Sequence, residues 1–255
     1  MSIRVLLSLI TFFAPFCELL LAADQAPIKA LYITGGGYHD YKTLTPLLTS
    51  SIAKHANVTF TIVNNIEGMK NPDFAKDYDV VIYNMCFADQ EVDLLPIENA
   101  KRAISEGTPA LMVHCAMHCF RKGDEWASCC GLLTKHHDGR RGFSTTKSLP
   151  EHPIAKAFPA DWSTPEDELY QNIHFPDTSV PVLLAHSIQS KKDHVVAWVH
   201  TLGKGRVFGT TLGHDTRTCG DENYHRLLAH GLLWSCGKLG DDGTPTPGFE
   251  GSDKK

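Results

Sequence analysis

Three short segments carry the residue types best suited to chemistry: Gly35-Gly36-Gly37-Tyr38-His39-Asp40, His114-Cys115-Ala116-Met117-His118 and Leu212-Gly213-His214-Asp215. Each contains a histidine, and in two of them an aspartate follows it directly. Imidazole is an acid–base group near neutral pH, and in its neutral form it binds zinc or a similar divalent ion. A carboxylate beside it can orient the ring. His39, Asp40, His114, His214 and Asp215 are therefore candidate catalytic groups, with the three histidines also candidate metal ligands.

Two further stretches add to this set. In Lys135-His136-His137-Asp138 adjacent side chains point apart, so one of the pair, His137, is expected to face the same pocket as a fourth metal ligand. The acidic run Glu166-Asp167-Glu168 reads as a solvated face, with Glu168 reaching inward as a catalytic carboxylate beside Tyr170. Gly36, Gly37, Tyr38, Cys115, His118 and Tyr170 are the expected substrate contacts. The glycines match neither GxGxxG nor a P-loop, and Tyr38 and His39 are bulky where a dinucleotide would approach, so no nucleotide is expected. Plainer roles compete at several positions: His39 as a turn cap, His114 as a strand-end histidine, His118 facing solvent, and 135–138 as a basic loop. The other histidines read as structural or surface residues.

These segments need a scaffold that brings distant stretches together. Lys29–Thr34, Val58–Val63, Asp79–Asn84, Ala110–His114, Val180–His186, Val195–His200 and Arg206–Leu212 have strand patterns. Tyr41–His55, Leu95–Ser105 and Asn223–Trp234 have helical periods, the last with Gly237 at its C-cap. Strands alternating with helices predict an α/β fold with a doubly wound, mostly parallel sheet. Ligands bind beyond the carboxyl ends of such strands, where three of the candidate histidines would converge. Residues 126–143 read as irregular excursions over the sheet, and Tyr38, Trp126 and Trp198 as aromatics that could stack on the ring of a ligand.

The 255 residues suit one domain, and a net charge of −5 without basic runs argues against a nucleic-acid partner. Residues 1–23 have the pattern of a secretory signal, with an apolar stretch from Val5 followed by Ala22-Ala23. Pro15 and Glu18 interrupt that stretch, so cleavage and export to the periplasm or the exterior are expected, with no stable membrane span. Removal of Cys17 leaves seven of the eight cysteines, an odd number, in a compartment that permits disulfides. The domain is expected over 24–239, and 240–255 as a disordered polar tail. The sequence leaves an oligomer open.

The segments GGGYHDY, VHCAMHCF, Gly131 with His137 downstream, DELY at 167–170, and GKGRVFGTTLGHD with Trp234 resemble the ThuA-like (trehalose utilisation) family from about Lys29 to Leu239. The resemblance implies a flavodoxin-like sheet similar to the class I glutamine amidotransferases, and a role in carbohydrate utilisation. It maps the family pattern onto His39, Asp40, His114, His137, Glu168, His214 and Asp215, whereas His118 stands where many relatives carry an acidic residue. It implies a hydrolase- or lyase-like enzyme acting on a disaccharide or an oxidised (3-keto) glycoside, with a sugar as its small-molecule ligand. Two other functions compete. One is a thiol hydrolase using Cys115 with His214 and Asp215, although Met117 stands where the nucleophile turn of the amidotransferases wants glycine. The other is a sugar-binding domain without turnover.

Overall fold

The computed structural model describes residues 25–254. Its strands are β1 (Ile28–Gly36), β2 (Val58–Val63), β3 (Val80–Cys86), β4 (Ala110–Val113), β5 (Leu133–His137), β6 (Arg141–Lys147), β7 (Ser163–Asp167), β8 (Tyr170–His174), β9 (Ser179–His186), β10 (Asp193–Leu202) and β11 (Gly205–Thr210). The α-helices are α1 (Tyr41–His55), α2 (Leu94–Glu106), α3 (Ala127–Cys130), α4 (Pro153–Lys156), α5 (Thr216–Cys219) and α6 (Glu222–Ser235). Nine strands form one sheet in the order β2-β1-β3-β4-β11-β10-β9-β6-β7, and β5 pairs with β8 in a separate ribbon.

The first five strands of that order are parallel, and β10, β9, β6 and β7 extend the sheet antiparallel. The parallel half has the flavodoxin-like 2-1-3-4-5 order, as the sequence pattern and the resemblance led one to expect. Period-2 alternation explains the two layers. Ala30, Tyr32, Val80, Ile82 and Leu111 face α1 and α6 through Leu44, Leu48, Ile52, Leu227, Leu228 and Leu232. Leu31, Ile33, Val81, Tyr83 and Met112 face α2 through Ile97, Ala100 and Ile104. Trp126 and Trp198 belong to this second layer. Their indole N–H groups donate to the Ala116 and Cys130 carbonyls, so neither is available to stack on a sugar.

Aspartates begin the long helices. Asp40, Asp93 and Asp221 each accept from backbone N–H groups in the first turn, which a helix cannot satisfy internally. Among the described residues, no helix is long and apolar enough to cross a membrane. The expected signal segment, 1–23, lies outside the described residues.

The segment from Gly240 onward, expected as a disordered tail, is instead packed. Glu250 bridges to Ala56, Pro245 bridges to Leu239, and Phe249 joins the core on the α1 side. One buried aromatic anchor with backbone bridges on both sides offsets the polar composition that suggested disorder. Truncation after Leu239 is expected to lower stability by about 2 kcal/mol, the value of one buried phenylalanine. Thermal melting of the truncated and full chains checks this.

Candidate active site

The strand ends deliver the candidates as parallel topology requires. His39 follows β1, His114 follows β4 and His214 follows β11. Their ring centroids lie 4.8 Å (His39–His114), 5.0 Å (His39–His214) and 5.6 Å (His114–His214) apart. One nitrogen or more from each ring lies within 4.8 Å of the others, a spacing that small side-chain shifts would close around a divalent ion.

Backbone carbonyls, rather than aspartates, orient these rings. His39 Nδ1 lies 3.1 Å from the His214 carbonyl, His114 Nδ1 2.6 Å from the Thr211 carbonyl, and His137 Nδ1 2.8 Å from the Asp138 carbonyl. A carbonyl only accepts, so Nδ1 carries the proton in each and Nε2 keeps its lone pair. Burial, foremost, lowers the pKa of His39 and takes that of His114 well below the ordinary value, so both are neutral at pH 7.

Glu168 is the carboxylate at the centre. Its oxygens lie 3.2 Å from His214 Nδ1, 3.6 Å from His114 Nε2 and 3.7 Å from His137 Nε2. Burial pushes the Glu168 pKa upward, but His214, then His137 and His39, hold it below the usual carboxylate range. Glu168 in turn raises the pKa of His214 against the opposing effect of burial. On the other edge of the His214 ring, Arg140 Nη1 lies 3.2 Å from Nε2. Tyr170 is buried with its hydroxyl 3.4 Å from His114 Nε2, and burial keeps it a neutral O–H donor.

Several expected residues have other roles. Asp40 is exposed and caps α1 through the Thr43 N–H and hydroxyl. Asp215 caps α5 and pairs with Arg217, with Arg140 3.7 Å away. An aspartate directly before a helix is drawn to the free N–H groups of the first turn, and here that pull takes both carboxylates away from the neighbouring imidazoles. Cys115 is joined to Cys86 in a disulfide, and of the histidines it is His39 that is grouped with the pair, not His214. The left-handed residue after β4 is His114 (φ 50°), so the sharp turn that carries a nucleophile in amidotransferases presents an imidazole here.

Gly36, Gly37 and Tyr38 line a cavity of about 360 Å³ with Cys86, Phe87, Ala88, Asp89 and Gln90. Gly36 (φ 92°) packs so closely on the Cys86 carbonyl that a Cβ would overlap it. Tyr38 is 63% exposed at the rim, its hydroxyl bonded to Asp89, with the Arg121 guanidinium 5.6 Å from its ring centroid. The disulfide lies between cavity and cluster: Cys86 lines the cavity, and a ring nitrogen of His39 lies within 4.8 Å of both sulfurs.

His118 does not face solvent. It stacks on Tyr170 with ring centroids 4.1 Å apart and an interplanar angle of 5°, and its Nε2 is buried without a partner. Burial, then His137 and Arg121, lower its pKa from 6.5 to about 3. The unfolded chain takes up this proton near pH 6.5 and the folded chain does not, so acid destabilises the fold between those values by about 1.4 kcal/mol per pH unit. His118→Phe keeps the stack and removes the titration. Its melting temperature is expected to fall less steeply than that of the wild type from pH 7 to 5 in metal-free buffer.

Sequence reading missed two residues that hold the site together. Arg140 is one. The other is Asp167, fully buried, which accepts from the backbone N–H groups of Glu168 (2.8 Å), Gly213 (2.8 Å) and His214 (3.2 Å). It ties the end of β7 to the loop after β11.

Residues 29–235 match the ThuA family, described as trehalose utilisation. The chain belongs to the ThuA family. None of the curated proteins matches it in sequence. Its fold is similar to a ThuA-like protein from Parabacteroides merdae ATCC 43184 (TM-score 0.68, 19% identity, covering 88% of this chain and 97% of that one). It is likewise similar to a ThuA-like protein from Bacteroides uniformis ATCC 8492 (0.68, 16%, 87% and 96%). A GMP synthase protein from Thermoplasma acidophilum (0.52, 14%, 82% and 94%) places this ThuA-family chain among class I glutamine amidotransferase-like folds.

Proposed function

We propose that this ThuA-family protein is an exported enzyme of carbohydrate utilisation that cleaves an oxidised (3-keto) glycoside at the His39–His114–His214–Glu168 cluster. The observation that carries the reading is the gathering of three imidazoles from three strand ends within 4.8 Å of one another, with the buried Glu168 carboxylate against two of them, His214 and His114. Such a set suits removal of the proton beside a sugar carbonyl, which the carbonyl acidifies.

The Glu168–His214 pair would accept that proton, and the leaving glycosidic oxygen would take one back from the same pair. Tyr170, held neutral, would donate to the developing oxyanion, and Tyr38 at the rim would pack against the sugar ring. The residues also fit a divalent metal: His39 and His114 carry their lone pairs on Nε2, that of His114 facing the Tyr170 hydroxyl, and Glu168 supplies a carboxylate. His214 would join as a ligand through Nδ1 as the neutral tautomer that carries its proton on Nε2, with the Arg140 guanidinium turned from that edge, and His137 stands at the edge of the set. When bound, the ion would polarise the substrate carbonyl. Export is supported by the signal pattern at 1–23 and by the Cys86–Cys115 disulfide, which persists in an oxidising compartment.

The test is turnover of a 3-keto glycoside by purified mature protein, before and after chelation and after return of Zn²⁺ or Mn²⁺. Activity lost on chelation and restored by metal is expected. Unchanged activity after complete stripping would remove the metal from the reading. Tight sugar binding with no product would replace the enzyme by a sugar-recognition domain.

A further inference from the structure

A second group of metal-ligating side chains lies outside the cluster and shares no residue with it. His55 is the last residue of α1, and Glu222 and His225 lie in the first turn of α6. The Glu-x-x-His spacing puts Glu222 and His225 on one helix face, a spacing that carboxylate–histidine metal sites use. His55 Nε2 is 3.1 Å from one Glu222 oxygen and His225 Nδ1 is 3.6 Å from the other. One ligand atom from each residue lies within 4.8 Å of the others.

The state of the imidazole nitrogens points to a cation. His225 Nε2 lies 2.7 Å from the Cys219 carbonyl, so it carries the proton, and in the neutral ring Nδ1 presents a lone pair toward the Glu222 carboxylate. His225 Nδ1 is buried without a hydrogen-bond partner, and His55 Nε2 is buried against the other Glu222 oxygen. The buried His225 lone pair repels the carboxylate that it faces 3.6 Å away unless something positive lies between them. Space is available, since His55 and Glu222 line a cavity of about 380 Å³ that Asp253 and Arg226 also border.

We propose that His55, Glu222 and His225 form a binding site for a divalent transition-metal ion, of the zinc, cobalt or nickel class, that joins the end of α1 to the start of α6. Two imidazoles and a carboxylate are the donor set such ions prefer. Asp253, in the C-terminal segment that packs over α1, borders the same cavity and would be the source of a fourth oxygen, directly or through water. The site would then clamp α1, α6 and that segment together, which makes its role structural. Arg226 competes with the ion, because its Nε lies 3.1 Å from the Glu222 oxygen nearest His55. The half-exposed Arg226 side chain has room to swing into solvent when the ion enters.

The test is Co²⁺ and Zn²⁺ uptake by the tag-free, chelator-stripped full mature chain, followed by visible absorption of bound Co²⁺, equivalents bound, and melting temperature. Glu222→Gln and His55→Asn are expected to bind one equivalent fewer than the wild type and to lose the metal-induced rise in melting temperature. Glu222 is half exposed, so Glu222→Gln leaves the fold intact and keeps the measurement readable. Arg226→Ala is expected to bind the ion at least threefold more tightly. Counting the loss of one equivalent separates this site from any ion at the His39 cluster. Unaltered stoichiometry in both ligand variants, or weaker binding in Arg226→Ala, would overturn the proposal.

Discussion

Glu168→Gln is expected to lower kcat on a 3-keto glycoside by at least a hundredfold, the lower range for loss of a general acid–base group, while the protein stays folded at a cost of about 1–3 kcal/mol, as for a weakened buried charged hydrogen bond. The substitution keeps the shape and removes the charge that three histidines share. A second readout separates this from general damage. Glu168 raises the pKa of His214, so the neutral amide returns it toward lower values. The acid limb of the kcat/KM profile, which follows the group that must be unprotonated to accept the substrate's proton, should therefore move to lower pH. Nitrogen-detected NMR of His214 provides the same comparison without substrate. Full activity in Glu168→Gln, or a His214 pKa that does not move, would remove Glu168 from the reaction.

The fold was legible wherever burial followed a period. The bounds of α1 and β2 came out as the pattern predicts, because Asp40 caps a run whose Leu44, Leu48 and Ile52 recur on one face. Residues 126–174 were not legible in this way. The β5–β8 ribbon joins segments more than 30 residues apart with irregular register, and its paired histidines follow no period. At the site, the histidines were readable because strand ends in parallel sheets converge. Glu168 was also placed correctly, but Asp40 and Asp215 were given imidazole partners because adjacency in sequence suggested partnership. Asp40 and Asp215 stand next to histidines, yet both sit one residue before a helix, where capping draws the carboxylate to the backbone. Thr43 three residues after Asp40 was the signal available in the sequence.

Asp167 shows the opposite error and leads to the second large effect. An acidic run such as 166–168 reads as solvated, but only Glu166 of the three remains at the surface, paired with Arg217 and Arg140. Asp167 turns fully inward because three backbone N–H groups converge on it, two of them from the loop that carries His214. Asp167→Ala would leave those donors buried without an acceptor, at about 1–3 kcal/mol each before relaxation. A net loss of about 3 kcal/mol at pH 7 is expected, allowing for water entry. Burial raises the Asp167 pKa from 3.8 to about 6 against the opposing N–H donors. The folded wild type therefore binds a proton that the unfolded chain has released over that range, and it gains stability as pH falls from 6 toward 4. Asp167→Ala lacks this gain, so the gap between the two proteins should widen in acid. The same change frees Gly213 and His214 from β7 and moves the imidazole away from Glu168, so kcat should fall with Glu168 intact. A flat difference in stability between pH 4 and 7, together with an unshifted His214 resonance, would mean that Asp167 does not position the catalytic histidine.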